Sequence, residues 1–229
     1  MSSFLTLLIQ ILPLAFGAAV SPTALMGIII LLSVSKKPKL QSFGYYIGSL
    51  ILIIIVTIIG ILLGTGITTG YNKPHLLLDW IDVILGILLL FLGTRRIIQT
   101  QKSPKNRIQS SNEPKSNLNL FLKGISYGFG LFLINFSTTI IVIEAGKEIA
   151  VSPVGLVGKL LIIMVLIVIT LLVCEVPLLM YVLSPEKAKK ILLKVNKWMQ
   201  RNGHILMGIV IFLIGAYLIL VGLIRLRFI

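Results

Sequence analysis

The sequence predicts an all-α, polytopic membrane protein: six transmembrane helices forming two inverted three-helix repeats, plus an amphipathic helix on the cytoplasmic surface. Three observations carry this. The chain is 57% hydrophobic and 12% charged, whereas soluble domains hold about 45–50% apolar and about 25% charged residues. Its 229 residues divide into six apolar runs, each long enough for the roughly 20 residues that a span requires. Lysine and arginine are abundant and scarce in alternate connections between those runs.

Span one covers residues 4–32. It is long for one crossing, and Pro13, Gly17 and Pro22 predict tilting or kinking. No basic region precedes it, so it reads as a retained span rather than a signal peptide. Near its middle stands Ser21-Pro22. Proline removes a backbone donor and frees the carbonyl four residues earlier. Such a break survives in hydrocarbon only when buried in protein or lining a cavity. Broken helices also build transporter substrate sites. Ser21, Pro22 and the adjacent Thr23 are therefore either a kink filled by a neighbouring helix or half of a substrate site.

Span two (43–63) carries Gly44/Gly48 and Gly60/Gly64, two pairs at the spacing of close helix contact. Residues 64–75 read as a loop. Span three (77–98) has Asp79 and Asp82 near its start, where acids suit the helix dipole. Residues 99–119 are polar and aperiodic and read as a flexible linker. They separate a first repeat (1–98) from a second (120–229). Span four (120–143) holds Asn135, Ser137 and Thr138 in its middle. These are interhelical glue or substrate-lining groups. The charged pentad 144–148 reads as a solvated outer rim or, with Asp79, Asp82 and Glu144, an outer gate. Span five (155–182) contains Glu175. An intramembrane carboxylate is a functional candidate, here for carrying a proton; the alternative is an acid paired across the bundle or reaching for the interface.

Residues 184–201 alternate faces at helical spacing. Ala188, Ile191, Leu192, Val195, Trp198 and Met199 form one side, and Lys187, Lys189, Lys190, Lys194, Lys197 and Arg201 the other. Ser184-Pro185 supplies a cap and a first-turn proline. This predicts an interfacial helix lying on anionic headgroups through Lys187, Lys190, Lys194, Lys197 and Arg201, ended by Gly203 before span six (204–226).

The basic residues set orientation. Connections one-two, three-four and five-six are rich in Lys and Arg and belong in the cytoplasm, with both termini outside. Three spans per half, joined by a cytoplasmic linker, makes the halves inverted. Gly86-x6-Gly93-x2-Arg96 in span three matches Gly215-x6-Gly222-x2-Arg225 in span six. The same relation pairs Ser21-Pro22 with Asn135–Thr138. The net charge of +14 lies between apolar runs, so anionic lipid explains it better than nucleic acid. One cysteine and two distant histidines exclude an intramolecular disulfide and a Cys/His metal cluster. There is no Ser-His-acid set, Walker loop or HExxH, so neither enzyme nor cofactor is expected.

A polar-proline break in span one, three-plus-three spans and a mid-span Asn135 together resemble the lysine-exporter (LysE) superfamily. The stretch VSPTALMGIIILL, the basic residues after it and YYIGSL look most like its GAP branch, the sulfolipid-1- and peptidoglycolipid-addressing proteins. The closing NKWMQRNGHILMGIVIFLIGAYLILVGL resembles that branch's last span. Ser21, Pro22 and Asn135 are the positions that carry over. Many relatives have Asn-Pro-Lys in span four, where this chain has Asn135-Phe136-Ser137. The paired cysteines of related thiol-disulfide carriers and the histidine-rich loops of related metal exporters are missing. The resemblance implies export or flipping of a lipid-like or amphipathic solute, with membrane lipids as partners. A small-solute exporter, for amino acids or cations, is the alternative, as is an accessory scaffold for a larger lipid exporter. The glycine faces permit a homodimer. A crevice opening sideways between spans one and four would favour a lipid substrate.

Overall fold

The computed structural model describes residues 2–68, 76–98 and 116–227. All eight elements among them are helices: α1 Ser2–Ala19, α2 Pro22–Val34, α3 Pro38–Thr68, α4 Leu76–Ile98, α5 Asn117–Ile134, α6 Phe136–Val151, α7 Leu156–Leu183 and α8 Pro185–Arg227. Four stretches are long and apolar enough to cross a membrane: 38–65, 117–134, 156–183 and 201–220. The bent pair α1/α2 makes a fifth, and α4 has a shorter apolar stretch at 83–95. The chain is a helical membrane protein.

Span one is two helices meeting at 52°. Pro22 occupies the first turn of α2, and Ser21 caps it, its side chain accepting from the Ala24 amide at 3.2 Å. Proline at this position costs nothing because the donor it lacks would have no helical partner. Span four is likewise two helices. Asn135 stands between α5 and α6 with φ −81° and ψ 70°, outside helical geometry. No proline is needed for this break, because the asparagine side chain bonds its own neighbourhood and competes with the helix ladder.

Asn135 meets Ser21, Thr138 meets Ala18, and Leu131 lies against Gly27. Residue numbers rise along one broken segment as they fall along the other, so the two run antiparallel. Against α3 the opposite holds. Gly124 meets Gln41, Gly128 meets Tyr45, and Gly146 meets Thr57 and Gly60, so α5 and α6 run parallel to α3. The core lies where α1, α2, α3, α6 and α7 converge, filled by Ile11, Ile28, Ile53, Ile141 and Ile162, among others.

The largest helix–helix interface joins α4 to α8. Gly86 faces Gly215 and Gly93 faces Gly208 across an antiparallel seam. A β-carbon at either member of the first pair would sit 2.8 Å from the other's carbonyl oxygen. Glycine is required there because backbone meets backbone.

Several boundaries differ from the sequence reading. Residues 64–68 continue α3 instead of starting a loop, and 117–119 already belong to α5 instead of the linker. The remainder of both connections, 69–75 and 99–115, lies outside the described residues. The expected surface helix at 184–201 is no separate element. It is the first part of α8, which runs unbroken for 43 residues, about 65 Å at 1.5 Å per residue. Gly203 does not end it. That glycine is buried, and a β-carbon there would meet Pro22 and Met199 at about 3.1 Å. It marks close approach of α8 to the start of α2, not a cap.

Candidate functional site

The two helix breaks form one junction. Asn135 Nδ2 donates to Ser21 Oγ at 2.6 Å and to Thr138 Oγ1 at 2.7 Å. Ser137 Oγ donates to Asn135 Oδ1 at 3.0 Å. Thr138 Oγ1 in turn donates to the carbonyl of Ala18 at 3.2 Å. Ala18 lies in the last turn of α1, where backbone carbonyls lack helical donors. A hydroxyl from the second broken span therefore repairs the first. Each amide hydrogen of Asn135 has an acceptor, and Ser21, Asn135, Ser137 and Thr138 are all buried. Buried polar groups satisfied in this way hold two segments in one register, whereas any one left unpaired would cost about 1–3 kcal/mol.

Six expected site residues are thus placed. Ser21, Asn135, Ser137 and Thr138 converge on one network. Pro22 is buried beside it, and Thr23 is exposed with its hydroxyl 3.3 Å from Ser21 Oγ. At the junction these bonds hold spans one and four together. An apolar groove of about 320 Å³ opens between α1 and α8, next to the break.

Glu175 is half-buried on α7 and accepts from the Tyr46 hydroxyl of α3 at 3.1 Å. The sequence reading found the carboxylate but not its partner, which is 129 residues away. Tyr45, its neighbour, is fully buried and donates to the Ala24 carbonyl at 3.0 Å, fixing α2 to α3. Its only sequence signal was a tyrosine within the glycine-spaced start of span two.

The pentad 144–148 is not a solvated rim. The break at Asn135 makes it part of α6, packed against α1, α3 and α7. Glu144 is 0% exposed, Lys147 3% and Glu148 8%. Lys147 Nζ lies 2.8 Å from Glu144 Oε1, one turn earlier on the helix. Enclosed charges persist only when paired, and a turn-spaced Glu–Lys was the signal available. Asp79 and Asp82, the other gate candidates, lie in α4; their side chains fall outside the described residues. Lys187, Lys190, Lys194, Lys197 and Arg201 are all exposed on α8. The apolar stripe opposite is split. Ala188 and Leu192 are buried against the bundle, whereas Ile191 and Trp198 remain exposed.

The model of one protein family, described as Sap, sulfolipid-1-addressing protein (SfLAP), matches residues 11–224. No curated protein and no solved structure matches.

Proposed function

We propose that this chain, which belongs to the family of sulfolipid-1-addressing proteins, exports a lipid-like or amphipathic solute of the glycolipid type across the cytoplasmic membrane. The observation that carries the reading is the Ser21–Asn135 bond. It joins two interrupted helices, antiparallel, with Thr138 completing the backbone of its partner. On this reading α1–α4 and α5–α8 are two inverted repeats of three spans each, both termini lie outside, and the family sits within the lysine-exporter superfamily.

A junction built from side-chain hydroxyls and an amide suits a carrier. Its bonds can be exchanged one for one with hydroxyl or sulfate groups of a substrate, so opening leaves no group stranded. The polar ends of short helices supply further partners for an anionic headgroup. Glu175, held by Tyr46, is the proposed coupling carboxylate. The exposed basic face of α8 gathers anionic lipid from the inner leaflet.

The test is reconstitution of the purified protein into liposomes with a sulfated glycolipid bearing a fluorescent reporter, read by quenching from the outside. Wild type should move the reporter across the bilayer, and Asn135→Ala should slow this at least tenfold. Under an imposed proton gradient, Glu175→Gln should lose the gradient-driven component and keep the downhill one. No movement by wild-type protein alone, with restoration on adding a second membrane protein, would overturn the carrier reading in favour of a scaffold.

A further inference from the structure

The groove between α1 and α8 is bounded by Pro13, Gly17 and Val20 on one side and Val210, Ile214 and Tyr217 on the other. On each helix these positions are spaced i, i+4 and i+7, so each wall is one stripe of one helix. Seven residues make the groove about 10 Å long. The walls are antiparallel, since Gly17 faces Val210 and Ile214 while Pro22, further along the chain, meets Gly203. At Gly17 the Ile214 side chain lies against the α1 backbone, where a β-carbon would collide with its Cδ1. Phe16 and Leu213, at the lips, are 54% and 61% exposed, so the opening is lateral. At one end lies Val20, next to Ser21 of the junction. Beyond it the contact between Gly203 and Pro22 closes a floor.

Resting on the function proposed above, we infer that this groove seats one hydrocarbon chain of the transported amphiphile, with the polar end of that molecule at the Ser21–Asn135 junction. Its volume of about 320 Å³ is at the lower end of ligand-site volumes, roughly 300–1,000 Å³. Its lining is aliphatic and aromatic. A polar solute would lose its hydration there without compensation, while a methylene chain loses nothing by leaving the surrounding lipid. Val20, which lines that end, is followed in the chain by buried Ser21 and exposed Thr23, so a headgroup would stop at the break. The arrangement selects an amphiphile by both parts: tail against α8, head against the break.

The experiment uses the full-length protein in lipid nanodiscs and two photoactivatable probes that carry the same diazirine acyl chain. One is a sulfated glycolipid, the other a zwitterionic phospholipid. Adducts are mapped by mass spectrometry. The sulfated probe should label 13–20 and 210–217 at least fivefold more than the exposed α7 stripe of Leu156, Leu160 and Met164, and the phospholipid should show no such preference. Leu213→Trp, at an exposed lip, should reduce groove labelling at least tenfold and leave α7 labelling unchanged. Equal labelling of groove and stripe, or equal preference by both probes, would mean ordinary boundary lipid and overturn the inference. So would shielding of the groove together with disulfide-linked dimers of Leu213→Cys, which would place a second copy there. The two proposals fail separately. Transport without groove labelling defeats the inference alone, whereas groove labelling without transport defeats the carrier reading and leaves a lipid site.

Discussion

The junction of the two broken spans and the seam between α4 and α8 are both antiparallel contacts, yet they are built from opposite materials. At the junction four polar side chains and one freed carbonyl exchange hydrogen bonds. At the seam Gly86, Gly93, Gly208 and Gly215 bring backbone against backbone with no side chain between. A seam of this kind holds by shape and has no substitute partner. Hydrogen bonds can be traded for those of another molecule. The difference separates a fixed part of the molecule from one suited to opening.

The sharpest way to break that contrast is to put a side chain into the seam. Gly215→Leu would drive its β-carbon against the Gly86 carbonyl and Leu90 amide, both 2.8 Å away. Neither is a flexible group that can step aside. A loss of more than about 3 kcal/mol is expected, as for severe overpacking, seen as a collapse of folded yield and of melting temperature in detergent. Asn135→Ala comes next. It removes three bonds and leaves Ser137 without its acceptor, while Ser21 keeps the Ala24 amide and Thr138 the Ala18 carbonyl; at about 2–3 kcal/mol, the melting temperature falls while folded protein persists. Transport should suffer far more than stability. Thr138→Val removes both the donor to the Ala18 carbonyl and one acceptor of the Asn135 amide, and should cost about 1 kcal/mol. Thr138→Ser, which keeps the hydroxyl, should restore most of it. Smallest in stability is Glu175→Gln. Its side-chain carbonyl can still accept from Tyr46, so the melting temperature should hold within about 0.5 kcal/mol equivalent while gradient-driven transport is lost. If Gly215→Leu proved milder than Asn135→Ala, the assignment of fixed and opening parts would have to be reversed.

Much of this was legible in the residues. Apolar runs of span length announce helices. Ser21-Pro22 announces a cap and a first-turn proline, and both form. Asn135 with Ser137 and Thr138 announced a polar interruption opposite it. The repair of Ala18 by Thr138 was not legible, because it depends on the register between segments 120 residues apart. The pentad 144–148 was misread for a related reason. Counted as one straight helix, span four is long enough before Glu144 to have reached water. Packing of α6 against α1, α3 and α7 encloses those charges, and local spacing does not show it. Gly203 misled because a glycine after an amphipathic stretch is the usual stop signal, while a glycine at a crowded crossing carries the same letter. The glycine pairs of span two marked close helix contact: Gly44 and Gly48 meet Phe121 and Ile125, and Gly60 and Gly64 meet Ile143 and Lys147. The seam of α4 with Gly215 and Gly208 of α8 was not identified by local spacing.

The unbroken length of α8 has a mechanical meaning. One stiff rod carries the basic arm at one end and a wall of the groove towards the other, and it rests on Pro22 through Gly203 in between. It is a lever with its fulcrum at the first helix break. Any tilt that a lipid surface imposes on the arm would have to carry α4 along with the groove wall, because the glycine seam binds the two.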